Sequence, residues 1–146
     1  MKLERGKLER CVCFNLRKAT RAVTQVYDRA LQAAELKITQ FTLLSVLNHA
    51  GPVPMQRLAE YIGMERTTLT RNLRPLERKR LVEILPGDDL RLRNVSITAK
   101  GKRALEKALP LWEAAQDRLE AELGHDTWDR IRKGLSQVTG KARAMS

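Results

Sequence analysis

The stretch "ERTTLTRNLRPLERKR" (residues 65–80) sets hydroxyl and guanidinium groups at helical spacing. Leu69, Leu73 and Leu76 recur at intervals of four and three, so a helix gathers them on one face. Thr67, Thr70, Arg71, Arg74 and Arg78 then fall on or near the opposite face. Hydroxyls bond base edges or phosphate oxygens, and an arginine fork matches guanine O6 and N7 or a phosphate. The free amides at the start of such a helix favour an anion in the same place. The competing reading is a solvated surface helix, whose outer face more often mixes Glu with Lys in i,i+4 pairs. The chemistry of this face points to double-stranded DNA.

A second set lies in "DDLRLR" (residues 88–93), where Asp89, Arg91 and Arg93 alternate. On an extended strand their side chains lean the same way. Asp89 would brace one arginine and leave the other to reach a minor groove or its phosphates; a plain polar hairpin tip is the alternative.

Cys11 and Cys13 form the third set. A C-x-C without further cysteines or clustered histidines lacks the four ligands zinc normally takes, so neither a metal nor another cofactor is expected. On one helix, residues two apart point about 200° apart, which keeps these thiols from bonding each other. Each reads as a small buried hydrophobe. The sharper reading is a redox thiol at Cys13: Arg17 stands one turn along and Lys18 is near, favouring thiolate, which peroxides oxidise to sulfenic acid.

The elements that must position these groups follow from periodicity and turn residues. From about Glu9 to Ala34, Val12, Leu16, Ala19, Val23, Val26 and Ala30 recur at three and four, a helix pattern. Thr39 is an N-cap candidate for the uncharged "QFTLLSVLNHA", which Gly51-Pro52 ends and which should lie deep inside. "MQRLAEYIG" makes a short helix with Leu58, Ala59 and Ile62 inward, and Gly63 turns the chain into the helix described first. Two short helices joined by a glycine-bearing turn read as helix-turn-helix. Pro75 removes one hydrogen bond of the second helix without ending it, because Leu76 keeps the spacing. "LVEIL" and "NVSIT" flank Pro-Gly-Asp-Asp, giving a β-hairpin with a basic tip. Thr98 can cap a long helix over 99–123, Gly124 closes it, and Asp126 or Thr127 starts a last helix bearing Trp128, Ile131, Leu135, Val138 and Ala142. The fold expected is mainly α with a small β-hairpin wing: a winged helix-turn-helix over 39–98 between long terminal helices, 9–34 and 99–146, in one 146-residue chain.

Charge and composition agree. The net charge is +11, and the excess lies in the first 103 residues, since acids and bases balance from 104 onward. Such asymmetry suits a polyanion-binding face, with solubility as the bland alternative. No apolar run approaches the roughly 18 residues of a membrane span. "MKLERGKLER" lacks the apolar core of a signal peptide, so a cytoplasmic protein without membrane contact is expected. Two isolated histidines, with no triad, metal or phosphate-loop spacing, argue against an enzyme. The terminal helices carry more apolar surface than the wing domain can cover, which calls for a second copy of the chain.

Over nearly its whole length the chain resembles the MarR family of bacterial transcription regulators. The resemblance rests on "ITQFTLLSVL", "QRLAEYIGMERTTLTRNLRPLERKRLVE" and "GDDLRLRNVSITAKGKRAL" with its D-x-R-x-R wing. It implies a homodimer joined by the first and last two helices, acting on a palindromic operator as a repressor. Thr67, Thr68, Thr70, Arg71 and Arg74 match the family's major-groove positions, and Arg91 its wing arginine. The first helix is similar to that of organic-peroxide-sensing members, with Cys13-Phe14 and Tyr27 in place and Arg17 where those carry another tyrosine. In most members a small, often aromatic or anionic effector binds between the dimer helices and the DNA-binding lobe. Arg17, Arg21, Tyr27, His49 and Trp112 are the candidates to line such a cleft here, each also readable as structural. A non-specific architectural DNA-binding protein is the alternative function; it accounts for the charge but not for the hydroxyl-and-arginine face.

Overall fold

The computed structural model describes residues 5–89 and 91–146. The charged residues 1–4, part of the N-terminal reading above, and Leu90 of the wing motif lie outside the described residues. The described elements run in the order α1 (Arg5–Glu9), α2 (Val12–Ala30), a 3-10 turn (Leu31–Ala34), α3 (Ile38–Ala50) and β1 (Val53–Pro54). They continue with α4 (Met55–Ile62), α5 (Arg66–Arg78), β2 (Val82–Pro86), β3 (Arg93–Ile97), α6 (Ala99–Leu123) and α7 (His125–Ala144).

The helix expected from about Glu9 to Ala34 is α2 with the 3-10 turn at its end, and a separate short α1 stops at Glu9. The chain leaves helical geometry at Cys11, the N-cap of α2, which has extended φ and ψ. Asn15 reaches back across this junction: its side-chain amide donates to Glu9 O at 2.8 Å and to Cys11 O at 2.9 Å, while Cys11 O also accepts from Asn15 N at 3.1 Å as the first bond of α2. Cys11 and Cys13 are both exposed, so neither is a buried hydrophobe in the single chain, and the argument that one helix holds them on opposite faces loses its premise.

The uncharged α3 forms the centre of the core, with Phe41, Leu43, Leu44 and Leu47 buried. Its N-cap is Lys37 rather than Thr39. Two side chains satisfy the first amides: Gln40 Oε1 accepts from Lys37 N at 3.0 Å, and Asp28 Oδ1 accepts from Ile38 N at 2.8 Å. Around α3 pack Leu58 of α4, Leu69, Leu73 and Leu76 of α5, Val82 and Val95 of the sheet, and Leu105 and Ala108 of α6. Trp112 of α6 stacks on Phe41, ring centroids 5.5 Å apart, and so joins α6 to α3.

The hairpin pairs β2 with β3 antiparallel, Ile84 opposite Val95 and Val82 opposite Ile97. A third strand, β1, lies on the other side of β3 with Val53 opposite Val95. Sequence periodicity does not reveal this two-residue strand, because Pro52 and Pro54 flank Val53 and read as a turn.

Thr98 caps α6 as expected, its hydroxyl oxygen accepting from Gly101 N at 3.0 Å. The last helix begins at His125, directly after Gly124, earlier than Asp126 or Thr127. Lys133 and Arg132 hold the Asp129 carboxyl below the usual carboxylate range through hydrogen bonds at its side chain. α7 buries no residue fully in the single chain, and Ile131, Leu135 and Val138 stay exposed together with Val12, Phe14, Val23 and Val26 of the N-terminal helix.

Candidate nucleic-acid interface

Helix α5 is built from two faces of opposite chemistry. Leu69, Leu73 and Leu76 have no exposed surface. Burying three leucines contributes about 1.5–3 kcal/mol each, enough to hold the helix at a fixed rotation about its axis. The rotation leaves Thr67, Thr68, Arg71, Arg74 and Arg78 exposed. The helix enters from Gly63, whose φ of 74° no β-branched residue tolerates well. Met64 N closes the turn on Ala59 O at 2.9 Å. Pro75 sits inside α5 and the helix runs on to Arg78, as the spacing of Leu76 requires.

Thr70 differs from its neighbours. It is half-buried, its hydroxyl donates to Arg66 O at 2.9 Å, and the same oxygen lies 3.6 Å from Met55 Sδ at the start of α4. The flank of α5 that carries Thr70 is thus partly engaged with α4, and the fully open face consists of Thr67, Arg71, Arg74 and Arg78 with Thr68 at its edge.

The wing tip departs from the extended geometry expected of it. Residues 88 and 89 form a bend and Arg91 a turn, and only Arg93 enters the strand, opposite Pro86. Asp89 braces the main chain: its Oδ1 accepts from Arg91 N at 3.0 Å, and its carbonyl accepts from Leu92 N at 2.8 Å. The side chains of Asp89, Arg91 and Arg93 therefore do not share one side of a straight strand. A local Asx turn outcompetes pairing at a hairpin tip that has no cross-strand partner. Arg91 and Arg93 are both exposed.

The residues expected around an effector cleft are dispersed. Trp112 is taken up by Phe41. His49 lies on a surface depression beside Arg57 and Tyr61. Arg17 and Arg21 are exposed on α2. Tyr27 alone reaches a cavity, about 420 Å³ between α2, α6 and α7, lined mostly by apolar side chains including Val23, Leu119, Trp128, Ile131 and Leu135. Its hydroxyl donates to Gln116 Oε1, and Gln116 Nε2 donates to Glu120 Oε1. Burial, and secondarily the Glu120 carboxylate, push the Tyr27 phenol above its ordinary value. The sequence reading passed over Gln116 and Glu120; their signal is a polar i,i+4 pair on the otherwise apolar seam face of α6. With its hydroxyl held by Gln116, Tyr27 has no contact with Cys13, which begins the same helix.

A helix-turn-helix followed by a three-stranded sheet with a basic wing defines a winged-helix DNA-binding protein. Comparison with known proteins specifies the kind. Residues 34–91 match the model of the MarR family. The chain is 42% identical to the M. tuberculosis transcriptional regulator MosR, solved in complex with DNA, with a TM-score of 0.85 over 92% of this chain and 97% of that one. It shares its fold with the transcriptional repressor CouR bound to a 23-mer DNA duplex, at 24% identity and a TM-score of 0.80, covering 95% of this chain and 99% of that one. It is also 23% identical to YwoH, an HTH-type transcriptional regulator of Bacillus subtilis (strain 168), over 90% of this chain and 93% of YwoH. The chain belongs to the MarR family of DNA-binding transcription regulators and is not an enzyme. Among the described residues no helix is long and apolar enough to cross a membrane.

Proposed function

We propose that the protein is a repressor that acts as a homodimer on a palindromic operator. Thr67, Thr68, Arg71 and Arg74 read the major groove with Thr70 at the flank, while Arg91 and Arg93 hold the adjacent minor groove or its phosphates and Asp89 shapes the wing. One observation carries this reading: apart from Glu77, the exposed residues of α5 are all hydroxyl or guanidinium, while its inner face is fixed by three wholly buried leucines. In that arrangement residues 39–98 form the DNA-binding lobe, and residues 9–34 with 99–146 the dimerisation helices. The exposed apolar rows on α2 and α7 support a second copy as their cover, and two-fold symmetry puts the half-sites about 10 base pairs apart.

Release is assigned to a small effector or to oxidation of Cys13. Exposure favours the thiol route: a Cys13 thiolate attacks the terminal hydroperoxide oxygen, the O–O bond breaks, the alkoxide leaves and takes a proton from water, and a sulfenic acid remains. Within one chain the Tyr27 hydroxyl is bonded to Gln116, so any part Tyr27 takes in that step comes from the second copy.

The test is binding to fragments of the gene's own upstream DNA against random duplex at one salt concentration, with and without organic hydroperoxide. A preference of about a thousandfold or more is expected for a specific site. Near-equal affinities would replace the operator reading with a non-specific architectural one. Equal affinities with and without peroxide, in the parent as in Cys13→Ser, would leave effector binding as the signal, and release that persists in Cys13→Ser would move the oxidised group away from Cys13.

A further inference from the structure

The far end of α5 is tied to two different parts of the molecule, and the two ties are unequal. Toward α6 the junction is tight. Lys100 Nζ donates to Lys79 O at 2.9 Å, and Thr98 Oγ1 donates to Arg80 O at 2.7 Å. Leu81 N returns to Leu76 O at 2.8 Å, with Arg80 in the left-handed region at φ 58°. Gly101 then lets α6 approach so closely that an added Cβ would stand 2.1 Å from Leu81 O. Toward α2, among the described residues, the polar tie is Lys79 Nζ donating to Glu35 O at 3.1 Å. Glu35 closes the 3-10 turn that follows α2 and is itself left-handed, at φ 55°. Its carbonyl is thereby turned out of the helical ladder and left open to a partner from elsewhere in the chain.

We infer that Lys79 is a positioning residue: by gripping Glu35 O it sets the angle of the recognition helix relative to α2, and hence the half-site separation that the dimer accepts. The inference rests on the dimeric operator reading above. Its physical content is that α5, seated on the core through Leu69, Leu73 and Leu76, can still tilt slightly about its tight junction with α6, and the bond from Lys79 to Glu35 O limits that tilt on the side of α2. The displacement is small at Lys79 and grows toward Thr67 at the opposite end of α5. Removing the grip changes no residue of the outer α5 face, so a half-site on its own should bind as before.

The experiment compares the parent, Lys79→Met and Lys79→Arg on a series of palindromes whose half-site spacing is changed one base pair at a time, together with the salt dependence of binding. In the parent, one spacing should be strongly preferred. In Lys79→Met the discrimination between that spacing and its neighbours should fall by roughly two- to tenfold, the worth of one hydrogen bond. The salt slope should stay that of the parent, and Lys79→Arg, which keeps a charged donor, should restore the preference. A salt slope lowered by about one would make Lys79 a phosphate contact and overturn the inference. So would a spacing profile for Lys79→Met equal to that of the parent. A parent indifferent to spacing would instead refute the dimeric operator reading itself.

Discussion

Gly101 is the position at which the packing makes its sharpest demand. It lies in the first turn of α6, and it has no side chain because there is no room for one. A Cβ would meet Leu81 O at 2.1 Å and Ile97 Cγ1 at 2.7 Å. Ordinary contact begins about 3.4 Å away, so in Gly101→Ala the start of α6 must retreat by more than an ångström. Overpacking costs about 1–3 kcal/mol and falls at the upper end here, since the obstructing atom is main chain. Replacing glycine by alanine inside a helix returns about 1 kcal/mol. The net loss is about 2 kcal/mol, a drop in Tm of roughly 4–8 °C for a chain of this size. Circular dichroism melts at one fixed protein concentration measure it, because dimerisation makes Tm depend on concentration. Gly140→Ala is the control: nothing lies within 4 Å of its Cβ position, so only the propensity gain should appear. A Gly101→Ala protein as stable as the parent, or more so, would refute the close approach of α6 to the end of α5.

Arg74→Ala should weaken operator binding by about 1–3 kcal/mol and relax base preference, whereas Arg91→Ala should weaken all duplexes alike and lower the salt slope by about one per wing. Footprints and salt titrations that match the parent for both variants would remove them from the interface. Deleting residues 125–146 takes away Trp128, Ile131, Leu135 and Val138 and should leave the protein insoluble or inactive on DNA; a well-behaved monomer that still held a full palindrome tightly would break the dimer reading. Tyr27→Phe removes the hydrogen bond to Gln116 and should cost about 0.5–1.5 kcal/mol near neutrality. Because the folded phenol is raised above 10, the stability linked to it is present below the unfolded value and is lost as pH rises through the folded one. Urea unfolding across the alkaline range should therefore decline less steeply in Tyr27→Phe than in the parent, and equal slopes would contradict the burial argument.

How much of this was legible beforehand depended on how far apart the interacting residues lie in the chain. The leucine row of α5 and the arginines behind it are separated by three or four residues, and helical spacing alone put them on the correct faces. Thr98 and its capping bond to Gly101 N were readable for the same reason. Reading failed where a side chain competed locally with regular backbone. Asn15 bonds back to Glu9 O across the junction where α2 starts, and Asp89 folds the wing tip by taking Arg91 N. Both are Asx side chains, whose preference for nearby main chain is known, yet the position of each fell inside a pattern that looked regular.

Residues far apart in sequence present a different difficulty. Periodicity says which face of a helix is inward, but not what stands opposite. Periodicity placed Trp112 on the inner face of α6, and only the structure shows it stacked on Phe41, joining α6 to α3. His49 and Tyr27 were likewise grouped by chemistry and are separated by the fold. The contact between Lys79 and Glu35 spans 44 positions and uses a backbone carbonyl, an acceptor that every residue carries and that no sequence pattern marks. The face proposed to read DNA is legible because its residues share one helix and their chemistry is unlike that of an ordinary surface. The devices that aim this face are built from lysines, a glycine and main-chain oxygens, and only their geometry distinguishes them from the rest of the surface.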